Sequence, residues 1–272
     1  MNVVKRLNIF VDETGEFWFG NGASELYGVS FTFHEQDADI IPELNKLNDR
    51  LDRIGYTNMI HMADLIMKRN DYRKFSIGIR RSIFKAIFHF SRKINVKYRT
   101  IIIDKKYTDN NMILKRKLSY EINKMIKERE NYFDKFGMIV IYYDNGQEVL
   151  GTILDAIFSR YEGFEHRIDF DHKEKRLFQV SGMLTYIDKF DYKFKNKIKF
   201  SKSEKYFFTD EEIRKILREL NKKRFQIIKK ATIKVAFLSG YCANTGLIRW
   251  INSTDQYIDI TISTILLYLS YK

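Results

Sequence analysis

Apolar residues crowd the segments 4–11 and 26–33, and turn-forming residues fill 20–24 between them, which predicts a β-hairpin. The period then changes. Ile41, Leu44, Leu47, Leu51 and Ile54 recur at helical spacing, so a helix is expected over 37–54, with Asp39 as cap and Pro42 in its first turn. Residues 59–67 form a short apolar piece that carries His61. Phe75, Ile79, Ile83 and Ile87 make the apolar stripe of a helix over 72–94, whose other face bears Arg73, Arg80, Arg81 and Arg92. Strands are expected at 96–103 and 137–143 and a short one at 167–170. Helices are expected at 110–133, 146–161, 176–190 and 211–230. A hairpin followed by alternating helices and strands calls for an α/β fold, a mixed sheet with helices on its faces.

The last segment differs. After Phe237 charges become sparse, and 258–271 is rich in β-branched and aromatic residues. This suggests a main domain over 1–237 and a strand-like C-terminal extension over 238–272, packed on that domain or offered to another copy or a protein partner. The apolar run is interrupted by Asp259 and is shorter than the roughly 20 residues of a spanning helix, so no membrane segment is expected. Cys242 is the only cysteine, which rules out an internal disulfide and suits a cytoplasmic setting.

Charge changes the picture more. The net charge of +13 comes in alternating blocks: −5 over 1–60, +12 over 61–135, −4 over 136–188 and +9 over 189–230. Basic blocks of this kind can hold a polyanion while the acidic ones hold a cation, so nucleic acid is a candidate partner. Within them, Arg80, Arg81, Lys193, Lys195, Lys197 and Lys199 are the candidate phosphate contacts. The last four interleave with Phe194 and Phe200, an arrangement that can follow a phosphate backbone and stack bases. A solvated face is the competing reading.

Three of the expected strands end in an aspartate: Asp12, Asp104 and Asp144. In open α/β sheets such ends share one edge, where ligands bind. Clustered carboxylates repel each other unless a hard cation such as Mg²⁺ or Mn²⁺ is present, and such a centre suits phosphodiester hydrolysis. Taken singly, each aspartate is as well explained as a helix cap or a turn residue. His166 and His172 lie among Glu165, Asp169 and Asp171 at a spacing that fits no standard metal motif, and they read as a polar loop.

The motifs also resemble a known family. Val11-Asp12-Glu13-Thr14-Gly15 is similar to the Asp-Glu-Ser-Gly signature of a large bacterial family with an RNase H-like fold, domain-of-unknown-function family 3800. Ile60-His61-Met62-Ala63, Ile102-Ile103-Asp104-Lys105, Tyr142-Tyr143-Asp144-Asn145-Gly146 and Leu177-Phe178-Gln179-Val180 follow in the family's order, as does Ser201-Lys202-Ser203-Glu204. The resemblance implies an RNase H-like sheet and a metal-dependent nuclease acting on RNA or DNA. Asp12, Glu13 and Asp144 would hold Mg²⁺ or Mn²⁺, with Asp104 and His61 beside them. One departure stands out: where the family pattern has an aspartate three residues after Gln179, this chain has Gly182. Two function classes therefore stay open: a nuclease, weakened or altered by the missing carboxylate, and a nucleic-acid-binding or protein-interaction module that keeps the fold without the chemistry.

Overall fold

The computed structural model describes residues 4–108 and 110–224. The expected extension over 238–272, with its strand-like run, and the last turns of the helix expected over 211–230 lie outside the described residues. Five strands form one mixed sheet in the order β3-β2-β1-β4-β5. They are β1 (Arg6–Thr14), β2 (Leu26–Glu35), β3 (Lys97–Asp104), β4 (Met138–Tyr142) and β5 (Phe164–Arg167). β2 runs antiparallel to both β1 and β3, whereas β1, β4 and β5 are parallel. The ends of β1, β3, β4 and β5 therefore lie on one edge. Together with the helices on both faces, this is the α/β, RNase H-like arrangement anticipated from the sequence.

Helices cover both faces, which is why β1 and β2 read as nearly continuous apolar runs. Strand alternation divides their side chains between two cores. Leu7, Ile9, Val11, Ile139, Ile141 and Tyr143 pack with α4 (Asn111–Lys127) and α6 (Glu148–Phe158). Phe10, Val140 and Tyr142 pack on the opposite face, in the core shared with α1 (Ile41–Ile54), α2 (Met62–Met67), α3 (Ile77–Lys93) and α7 (His172–Lys195). No helix among the described residues is long and apolar enough to cross a membrane.

Local chemistry moves several boundaries away from the periodic expectation. α3 starts at Ile77 because the Ser76 hydroxyl accepts from the Ile79 amide, and the residues before it form a 3-10 turn, Asn70–Lys74. The helix expected over 110–133 stops at Lys127 and is followed by a separate turn, α5 (Glu130–Phe133). β5 precedes its expected place. α7 is longer than expected because Asp171 and Glu174 form a capping box ahead of the apolar stripe. The basic segment after it folds as α8 (Lys202–Phe207) and is followed by α9 (Asp210–Leu220), each opened by a further capping box.

Candidate active site

Asp12 and Glu13 are neighbours in sequence, so strand alternation sends their side chains to opposite faces of the sheet. Asp12 turns toward α7, where its Oδ2 lies 2.1 Å from the point a Cβ on Gly182 would occupy. α7 can come this close because it presents small residues there. The Ser181 hydroxyl donates to the carbonyls of Phe10 (2.9 Å) and Ser30 (3.0 Å), and the Thr185 hydroxyl lies 3.2 Å from the Asp12 carbonyl oxygen. The position that carries an aspartate in the resembling family thus faces Asp12 directly, and here the Asp12 carboxylate leans into the space left by the missing side chain.

Asp144 follows β4. Phe10 pairs with Tyr142 in the last rung of the parallel β1–β4 ladder, two residues before Asp12 and Asp144, and the Asp144 charge acts on both Asp12 and Glu13. Its Oδ1 accepts from the Gly146 amide at 3.0 Å. Glu13 reaches this loop from the other face. A Cβ on Gly146 would lie 2.9 Å from Glu13 Oε1 and 3.3 Å from Asp144 Oδ1, so the two carboxylates come within about 6 Å of each other. Gln147 ties the loop to the end of β1, its Nε2 donating to the Gly15 carbonyl at 2.9 Å. Gly15 has to be glycine. Its φ is +87°, and a Cβ would meet the Leu26 carbonyl oxygen at 2.4 Å. Gly15→Ala is expected to destabilise the fold by about 1–3 kcal/mol, read as a lower urea midpoint; an unchanged midpoint would contradict this account of the motif's glycine.

The electrostatics join the three carboxylates. Burial, then the charges of Glu13 and Asp144, hold the Asp12 carboxyl well above the ordinary aspartate value. Burial, then Asp144, push Glu13 up to about 7, against hydrogen bonds from Tyr143 and Gln147. Glu13 Oε2 is buried without a partner, as is the Tyr27 hydroxyl. Burial followed by the charge of Glu13 raises the phenols of both Tyr27 and Tyr143. Among the described residues no three His, Cys, Asp or Glu side chains are gathered into a finished metal cage. The donor set nonetheless fits a hard divalent cation: the oxygens belong to carboxylates whose repulsion such an ion would relieve, and one of them is buried with no partner.

The other sequence candidates lie elsewhere. Asp104 ends β3, two strands from β1, and accepts from the Lys106 amide at 2.9 Å, so it caps a 3-10 turn, Lys105–Tyr107. His61 lines a separate cleft with Tyr56, Asn58, Asp64, Asn70 and Asp71, and its amide donates to the Tyr72 hydroxyl. Neither contributes to the charges that shift Asp12 and Glu13. Asp171 and Glu174 are spent on the α7 cap, and Glu174 also accepts from the Tyr142 hydroxyl. Tyr142 and Tyr143 are both fully buried. His166 lies in β5 instead of a loop, and its Nδ1 is 2.7 Å from Asp155 Oδ1.

Three of the six cations expected to meet phosphates are corrected by the structure. Arg80 is buried and donates to the carbonyls of Leu65 and Ile66. Arg81 donates to those of Phe207 and Tyr206. Lys193 pairs with buried Glu204 at 2.9 Å, and Lys195 with Asp191 at 2.8 Å. The first three hold helices to one another, whereas the Lys195 pair lies within α7 and leaves the Lys195 side chain exposed. Lys197 and Lys199 are exposed. Sequence reasoning did not single out Tyr27 or Gln147; Gln147, three residues after Asp144, carries a local signal.

No protein-family model matches the chain, and no curated protein matches it. Among solved structures, the chain is similar to one in the PCNA:RNase HII complex from Archaeoglobus fulgidus, at 15% identity and a TM-score of 0.34, over 79% of this chain and 88% of that one.

Proposed function

We propose that this chain is a divalent-metal-dependent nuclease that hydrolyses phosphodiester bonds of RNA or DNA, related to the family of unknown function that its motifs resemble. One observation supports the reading above the others. Asp12 and Asp144 each lie two residues past the last rung between neighbouring parallel strands, and the charge of Asp144 raises the cost of ionising Asp12 and Glu13. A fold held together for its own stability gains nothing from such an arrangement, whereas perturbed carboxylates at a sheet edge are what a cation site requires.

Asp12, Glu13 and Asp144 would hold Mg²⁺ or Mn²⁺, and the ion would supply Lewis-acid stabilisation of phosphoryl oxygens and a more acidic attacking water. The rest of the chain sets the geometry. Ser181 and Thr185 anchor α7 to the backbone at Phe10, Ser30 and Asp12. Gln147 joins the Asp144 loop to β1 through the Gly15 carbonyl, and its amide donates to the Tyr143 hydroxyl at 2.8 Å.

The test is cleavage of end-labelled single- and double-stranded RNA and DNA with Mg²⁺, Mn²⁺ or EDTA. Cutting is expected with metal, is expected to vanish in EDTA, and should fall at least about tenfold in Asp144→Asn. The second reading, a binding module with a decayed site, is favoured by Gly182. It would prevail if the natural chain bound nucleic acid without cutting and only Gly182→Asp cut.

A further inference from the structure

Two exposed aromatic side chains stand on the edge that carries the carboxylates. The connection from β1 to β2 and the 3-10 turn after β3 meet there, and Lys105 fastens them together. Its amide donates to the Glu25 carbonyl at 2.8 Å, and its buried ammonium donates to the carbonyls of Glu16 and Trp18 at 3.0 and 2.9 Å. The same ammonium lies 5.2 Å from the centre of the Phe19 ring. The Ser24 amide donates to Glu16 Oε2, and the Ala23 amide to the Gly20 carbonyl. Gly20 lies against the Trp18 indole so closely that a Cβ would come 2.9 Å from a ring carbon. This is a built loop, and it holds Trp18 47% exposed while the turn beside it holds Tyr107 68% exposed.

Positive charge lies next to them. Exposed Lys106 places its ammonium 6.0 Å from the centre of the Tyr107 ring. Lys189 lies on α7 one turn past Thr185. Its ammonium is buried, lies 5.6 Å from the centre of the Tyr186 ring and reaches Ser24 Oγ at 3.4 Å. The sheet edge that carries Asp12 thus also carries an exposed indole and a phenol with its own lysine.

We propose that Trp18 and Tyr107 form a base-stacking platform for a single strand of nucleic acid, with exposed Lys106 countering its phosphates. Every base offers a π-face, so such a platform tolerates sequence, but only unpaired bases expose that face. The proposal rests on the nuclease reading solely for the claim that the strand bound here is the one to be cut.

The sequence contains two tryptophans, Trp18 and Trp250, so a full-length Trp250→Phe chain reports on Trp18 alone. It is titrated in EDTA with thymidine and uridine oligomers of about 12 nucleotides and with a hairpin duplex, following Trp fluorescence. Quenching by the single strands, well beyond that by the duplex, is expected. In the natural background, Trp18→Ala should weaken single-strand binding by at least about tenfold, measured by fluorescence anisotropy, and Trp18→Phe should recover most of the loss. Quenching without cutting by any version would sustain the platform and remove only the nuclease reading. Cutting without quenching, equal quenching by the duplex, or unchanged affinity in Trp18→Ala would overturn the platform and leave the nuclease reading in place.

Discussion

Asp12→Asn is expected to reduce metal-dependent cleavage by about 100- to 1,000-fold and, in EDTA at pH 8, to make the protein more stable than the natural chain. The two effects share one cause. Asp12 is partly buried against α7, and Glu13 and Asp144 both raise the cost of its ionisation. An amide of the same shape fills the space beside Gly182 without adding to that charge, so the repulsion falls while the packing stays. It also gives up a ligand. Gain of stability with loss of function is the pattern of a strained functional site. Thermal unfolding in EDTA and cleavage in Mg²⁺ measure the two halves. If Asp12→Asn lost both stability and activity, Asp12 would be a structural residue and the cation-site account would fail.

The pH dependence of stability gives the second large effect. Burial, then the charge of Asp144, move Glu13 from its ordinary 4.5 up to about 7. Between those values the folded protein holds a proton that the unfolded chain has released. This group therefore favours the fold fully below about pH 4.5, loses that contribution as pH rises to about 7, and changes little beyond. The size is at most about 3 kcal/mol, and Asp12 works in the same direction. Urea unfolding in EDTA at pH 5 and pH 8 should show the natural chain losing stability relative to Glu13→Gln over that interval. Millimolar Mn²⁺ should restore it at pH 8, because an ion bound only by the folded state stabilises by mass action. Parallel pH profiles for the two proteins would show that Glu13 is not repelled in the folded state.

These expectations separate what is local from what is not. The strands were legible in the chain because their apolar runs are covered on both faces, and α3, α4 and α7 because their stripes repeat at helical spacing. The Asp-Glu-Thr-Gly motif was legible as a unit, and its glycine has a local cause in a positive φ. The convergence of Asp12 with Asp144 was also within reach, since both end strands that a mixed sheet makes parallel.

The sequence could not distinguish Asp104 from those two. All three aspartates end strands, but strand order sets Asp104 two positions from β1, and order is decided by which surfaces bury each other. It could not show that Arg80, Arg81 and Lys193 are occupied, because their partners are carbonyls and a carboxylate positioned by packing, in the case of Arg81 more than a hundred residues away. Nor could it show that the space opposite Gly182 is taken by Asp12, or that Trp18 is held in solvent by a lysine from another strand's end. Residue type and period determine elements and the chemistry they can carry. Only the approach of distant segments, fixed by burial, decides which of those groups face one another and which are already satisfied.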